Sequence, residues 1–211
     1  MIGHYDWADG REAWLRFGPD HGPVVVIALP LFEEANRTRA FAVAILRALA
    51  ARGIGGMLPD LPGQGDSMVA TEQAGLDEWR QAFAAACDAT GRPVVVASIR
   101  SGALVDWDAQ VVGRWHLAPQ SGARLVVELD RIQRMGGTNA TSDDVLAGLS
   151  AAVAVTEHPV RVVRLGSDPA PADLRIDATP LWRRAEPGQD LDLAETLADD
   201  LAGWTVACAG R

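Results

Sequence analysis

Two short stretches hold most of the side chains that could bind an anion or move a proton: Glu33-Glu34-Ala35-Asn36-Arg37-Thr38-Arg39 and Ser98-Ile99-Arg100-Ser101-Gly102. A serine attacks a carbonyl at neutral pH only when a histidine accepts its proton and a carboxylate orients that histidine. The histidines are His4, His21, His116 and His158, and residues 159 to 211 contain none. Ser98 and Ser101, candidate nucleophiles by type, therefore have no visible base. Arg100 offers other chemistry. Its guanidinium stays protonated and cannot attack, but it can hold a carboxylate or a phosphate. Two readings compete. Arg100, with the backbone N–H groups of Ser101 and Leu31, binds an anionic substrate; or it forms an internal ion pair with Asp168, Glu33 or Glu34. A buried guanidinium without an acidic partner is strongly disfavoured, so a carboxylate is expected beside it on either reading.

Glu33 and Glu34 are adjacent, so one can face a pocket while the other faces away. The pocket-facing acid, near Arg39 or Arg100, could serve as a general base. Alternatively both sit in the first turn of a helix, favouring its dipole and pairing with Arg37 or Arg39. Asn36 and Thr38 read as caps of a helix over 39–52. Leu31, Phe32, Asn36, Arg39 and Trp182 complete the expected pocket lining, although Trp182 also reads as a packing residue. His4, His21 and His116 read as surface or packing residues, and Ser67 as a cap or turn residue.

Composition narrows the chemistry further. All 19 basic residues are arginine, against 28 acids, for a net charge of -9 over 211 residues. Without a basic surface, nucleic acid and anionic membranes are excluded as general partners. Without lysine, Schiff-base catalysis and a phosphate-loop lysine are excluded as well. Hydrophobic residues make up 48% and charged residues 22%, the balance of a globular domain. Met1 to Trp7 lacks the pattern of a signal peptide, and no apolar run approaches membrane-spanning length. Cys87 and Cys208 read as buried thiols of a cytoplasmic protein rather than a disulfide. Cysteine and histidine show no metal-ligand spacing, and no G-x-G-x-x-G follows a strand, so no metal and no cofactor are expected.

The elements that must position these residues alternate strand and helix. Val24 to Leu29 is a continuous apolar run between Pro23 and Pro30, as is Val94 to Ile99 after Pro93; such runs read as strands of a parallel sheet covered on both faces. Further strands are expected at 56–61, 114–117, 160–165 and 172–178, with an antiparallel edge strand over 12–17. Helices are expected at 39–52, 76–89, 101–109, 121–135 and 191–207, with a loop and a weak alanine-rich helix over 136–157. This pattern predicts a single three-layer α/β domain with a doubly wound, mostly parallel sheet. Ligands of such sheets sit beyond the carboxyl ends of the strands, which selects the loops 30–39, 60–67, 98–102 and 165–170.

The strand–turn–helix around residues 98–102 resembles the G-x-S-x-G nucleophile elbow of α/β-hydrolases, with arginine at the nucleophile position. Asp60-Leu61-Pro62-Gly63-Gln64-Gly65-Asp66-Ser67 is similar to their D-x-x-G-x-G-x-S loop, and Leu165-Gly166-Ser167-Asp168 to the loop carrying their catalytic acid. More narrowly, residues 23 to 204 resemble the exosortase system-associated hydrolases of type 2. The first match is P-F-x-E-E-x-N-x-x-R, carried by Pro30, Glu33, Glu34, Asn36 and Arg39. The second is G-L-R-L-G-A, carried by Ser98 to Ala103. A tryptophan-to-proline turn ending in Ser-Gly is matched from Leu117 through Pro119 to Gly122, ahead of Arg131. Leu181-Trp182 and Glu186 match F-W-x-x-x-E. Ser98, Leu117 and Leu31 depart from the pattern.

The resemblance implies a compact α/β-hydrolase fold without a large lid. The expectation for function is an atypical hydrolase or acyl-transfer enzyme acting on a small or acyl substrate of anionic character. Arg100, Glu33, Glu34, Ser98, Ser101 and Asp168 would line its centre in place of a Ser-His-Asp triad. The competing expectation is a catalytically inactive binding or accessory protein of an exosortase or exopolysaccharide pathway. Homo-oligomerisation is left open.

Overall fold

The computed structural model describes residues 1–135, 142–157, 159–183 and 188–210. His158 and Glu186 lie outside the described residues. The strands are β1 (Ile2–Trp7), β2 (Gly10–Phe17), β3 (Val24–Ala28), β4 (Gly55–Pro59), β5 (Val94–Ile99), β6 (Gly113–Leu117), β7 (Val160–Leu165) and β8 (Leu174–Ile176). The helices are α1 (Glu33–Ala51), α2 (Leu76–Asp88), α3 (Gly122–Arg134), α4 (Asp143–Ala151) and α5 (Leu191–Ala209). The strands form one sheet in the order β1-β2-β4-β3-β5-β6-β7-β8. Only β2 runs against its neighbours.

The sheet is covered on both faces because β3 is apolar at every position and β5 at all but Ser98. Along β3, Val25 and Ile27 enter one core with Phe41, Ile45 and Leu49 of α1 and Leu193, Leu197 and Leu201 of α5. Val24, Val26 and Ala28 enter the other, with Trp79 and Phe83 of α2 and Leu125 and Leu129 of α3. The two-residue period of a strand thus splits one apolar run between two helical layers. Each such side chain contributes about 1.5–3 kcal/mol when fully buried. Between β6 and β7 the described chain forms α3 and α4, packed on each other and on the sheet, with Leu149 of α4 fully buried. Gly122 opens α3 where a Cβ would meet the Leu149 carbonyl oxygen, so glycine is what lets the two helices touch. No described helix is long and apolar enough to cross a membrane. Cys87 and Cys208 are both buried and form no disulfide.

Four local expectations are corrected. The sheet edge is β1, not the 12–17 segment, which lies one strand inward; Tyr5 and Trp7 bury against α2 and fix this hairpin. Helix α1 begins at Glu33 rather than 39, and its N-cap is Phe32, with no side-chain cap. Asn36 and Thr38 therefore do not cap it; Thr38 sits inside the helix and donates to the Glu34 carbonyl at 2.7 Å. The helix expected over 101–109 is only a five-residue 3-10 turn, Arg100–Leu104. Beyond it, Arg114 Nη2 donates to the carbonyls of Asp106, Trp107 and Ala109, holding that segment as a loop.

Candidate functional site

The carboxyl ends of β3, β5 and β6 each lead into a non-glycine residue with left-handed backbone: Phe32 (φ 61), Arg100 (φ 55) and Ala118 (φ 49). Such residues are disfavoured by about 1–2 kcal/mol each, and they gather where a fold holds its functional loops. At the β5 turn a Cβ on Gly102 would lie 2.3 Å from the Ala28 carbonyl oxygen and 2.7 Å from that of Leu29. Glycine there lets the turn rest directly on the end of β3. A sharp turn therefore follows β5, with Arg100 at its tip.

Arg100 is held between two carboxylates. Its Nε lies 3.3 Å from Glu34 Oε2, and its Nη2 lies 3.2 Å from Glu128 Oε2. The guanidinium also stands 5.3 Å over the Trp182 ring, a favourable cation–π placement. Gln120 Nε2 donates to Glu128 Oε2 at 2.7 Å and fixes the second acid. Burial raises the Glu34 carboxyl above its ordinary 4.5, and the attraction of Arg100 offsets this only in part. Glu33 pairs with Arg37 at 3.0 Å and borders the same small pocket as Glu34.

The two serines have other occupations. Ser101 is fully buried, and its Oγ accepts the Leu31 N–H at 2.9 Å. In a serine hydrolase of this topology that N–H comes from the loop that supplies one oxyanion donor. Here the hydroxyl takes it. Ser98 donates to Asp106 Oδ2 at 2.6 Å, and His116 Nε2 lies 2.9 Å from the same oxygen. Arg114 Nε approaches Asp106 Oδ1 at 3.7 Å. Ser98, Asp106 and His116 are all buried. Serine, histidine and aspartate thus meet, but the carboxylate stands between the other two, so the histidine cannot take the serine's proton.

Arg100 faces a cleft of about 540 Å³ bounded also by Gln120, Arg124, Glu128, Asp168, Trp182 and Arg183. Asp168, at the end of β7, is bonded to Arg164 and accepts the Ala170 N–H at 3.0 Å. Burial pushes its carboxyl up, but the Ala170 N–H and Arg164 outweigh this and hold it below the usual range. The remaining expected pocket residues fall elsewhere. Leu31 and Phe32 line a small apolar pocket with Leu125 and Leu129, across the Glu34 and Glu128 side chains. Asn36 and Arg39 border a third, minor cavity, where Arg39 pairs with buried Asp60 at 2.6 Å. Leu31, Phe32, Asn36 and Arg39 therefore do not line the Arg100 cleft, whereas Trp182 does.

Glu128, Gln120, Arg124 and Arg183 were not anticipated. A faint signal existed for Glu128: it lies three residues after buried Leu125 on α3, on the flank of the buried face. Its partner is set by tertiary packing alone.

Solved structures similar to this chain include a haloalkane dehalogenase loop variant from Bradyrhizobium elkanii, with TM-score 0.68 and 11% identity over 100% of this chain and 97% of that one. A thermophilic esterase from Thermogutta terrifontis matches with TM-score 0.60 and 13% identity over 99% of both chains. Neither a protein-family model nor a curated protein matches. At these identities the likeness is one of architecture, and with the strand order above it defines the class: the chain has the α/β-hydrolase fold.

Proposed function

We propose that this is a hydrolase-fold binding protein, which takes a small organic ligand into the Arg100 cleft without hydrolysing it. The observation that carries the reading is the Ser101 hydroxyl on the Leu31 N–H, directly beside an arginine where a nucleophile would stand. Among the described residues no histidine lines the cleft, so proton abstraction from a serine has no agent there. The resemblance to exosortase-associated hydrolases suggests where such a protein would serve: as an accessory component of an exosortase or exopolysaccharide pathway.

A fluorophosphonate probe with a panel of short aryl esters tests the reading. Neither labelling nor turnover is expected; labelling at Ser98 or Ser101 would overturn it. A thermal-shift screen then finds ligands, because one present at about 100 times its Kd stabilises the fold by about 2.7 kcal/mol. A second reading, acyl transfer with Glu34 as general base beside Arg100, draws on the raised Glu34 carboxyl. It requires ester turnover that rises with pH through the Glu34 titration and disappears in Glu34→Gln.

A further inference from the structure

The cleft carries a charge pattern opposite to that of the chain. The protein is net -9, yet the cleft is lined by three arginines, Arg100, Arg124 and Arg183, against two acids, Glu128 and Asp168. Glu34 and Glu128 share Arg100, and Asp168 is bonded to Arg164. Two further cleft residues, Arg124 at the start of α3 and Arg183 after Trp182, are exposed. Neither forms an ion pair with a carboxylate of the described residues, although Arg124 lies close enough to Asp168 to help hold its carboxyl low, so both exposed guanidinium forks can meet a ligand. Besides Gln120 and Ser167, the rest of the wall is apolar or aromatic, including Ala118, Val127, Leu165, Pro180 and Trp182.

From this we infer that the ligand is a small monocarboxylate with an apolar or aromatic body, its carboxylate read by Arg124 and Arg183 and its body laid against Trp182 and Val127. This inference deepens the proposed binding function and rests on it. The planar guanidinium fork matches the two oxygens of a carboxylate better than it matches a neutral amide or an alcohol. The apolar wall favours an organic acid over inorganic phosphate, which would gain nothing from it and whose higher charge the acidic protein repels more strongly. Arg100 stays with its two glutamates. It serves as the floor of the cleft rather than as the anion receptor.

The test is calorimetric titration of the full chain with 2-naphthoate, 2-naphthamide and inorganic phosphate at about 50 mM salt, where charge pairing is weakly screened. The naphthoate should bind about tenfold or more tightly than either the amide or phosphate. The double variant Arg124→Gln/Arg183→Gln should erase this preference, so that naphthoate binds no more tightly than naphthamide. Both positions are exposed, so the variant keeps its fold, which its unfolding midpoint will verify. Equal binding of naphthoate and naphthamide, parity between phosphate and naphthoate, a preference that survives in the double variant, or no binding of either naphthyl probe would each overturn the inference. Turnover of 2-naphthyl acetate by the unaltered protein is a separate outcome. It would overturn the non-hydrolytic reading whatever the titrations give.

Discussion

Two polar clusters lie within one strand-end of each other and are built in opposite ways. Around Asp106, one carboxylate is surrounded by a hydroxyl, an imidazole and a guanidinium, with hydrogen bonds of 2.6 and 2.9 Å and the carboxylate fully buried. Around Arg100, one guanidinium is shared by two carboxylates at 3.2–3.4 Å, and the side chain of Glu128 is 49% exposed. The first cluster is short and sealed, with Asp106 Oδ2 doubly bonded while Asp106 Oδ1 and Arg114 Nε face each other at 3.7 Å without a hydrogen bond among the described residues. The second is longer, open and set against a cleft. Serine, histidine and aspartate lie together in the sealed cluster, while the cleft is lined by charged residues beside an aromatic ring.

The comparison breaks most easily at Asp106. Asp106→Ala leaves Ser98, His116 and Arg114 without their common partner, and a loss of about 3–5 kcal/mol is expected in urea unfolding. A loss below about 1 kcal/mol would show that the sealed cluster is not structural. Next comes Gly102→Ala, which drives a Cβ into the Ala28 carbonyl. A destabilisation of about 2–3 kcal/mol is expected, as for other overpacked sites. Ser101→Ala strips the Leu31 N–H of its acceptor, so about 1–2 kcal/mol should be lost. Ester turnover should still be absent, because freeing a backbone N–H supplies no base; turnover in this variant would argue that the serine is the only obstacle to hydrolysis.

The smallest expected effect sharpens the open cluster. Burial raises Glu34 in the folded protein above its unfolded 4.5. Folding therefore favours its protonated form, and the associated stability is present below the unfolded value and lost as pH rises through the folded one. Glu34→Gln removes the titration. From about pH 4.5 to 7 the wild type should thus lose stability relative to the variant, by less than about 1 kcal/mol. Parallel stability curves would place Glu34 in a wetter setting than its contacts with Arg100 imply.

The parts of the fold visible in the sequence are those where one physical cause dominates. The runs over β3 and β5 admit no reading except doubly covered strands, and Leu193, Leu197 and Leu201 mark the buried face of α5. The start of α1 was hidden because Phe32 enters the helix through a left-handed backbone rather than through a Ser, Thr, Asp or Asn cap. The 3-10 turn after β5 was hidden because what ends it is the Arg114 side chain, ten residues beyond its last residue, bonding to three carbonyls. Arg100 and Glu34 could be named from type and position. The Glu128 contact could not, since nothing local to α3 specifies which loop it will face.

The hydrogen bond from Leu31 to Ser101 has a consequence for how a ligand gets in and out. In an open α/β sheet the natural crevice lies where the strand order reverses, here between β3 and β5. That bond and the Arg100 ion pair to α1 stitch the two strand ends together and close the crevice. The accessible space has shifted sideways, over β5, β6 and β7, and its rim is made by α3, the β7 loop and residues 180–183. On the proposed binding function, entry and exit would run through the second half of the chain. Changes in what the protein accepts should arise there, while the loops after β3 and β4 can stay as they are.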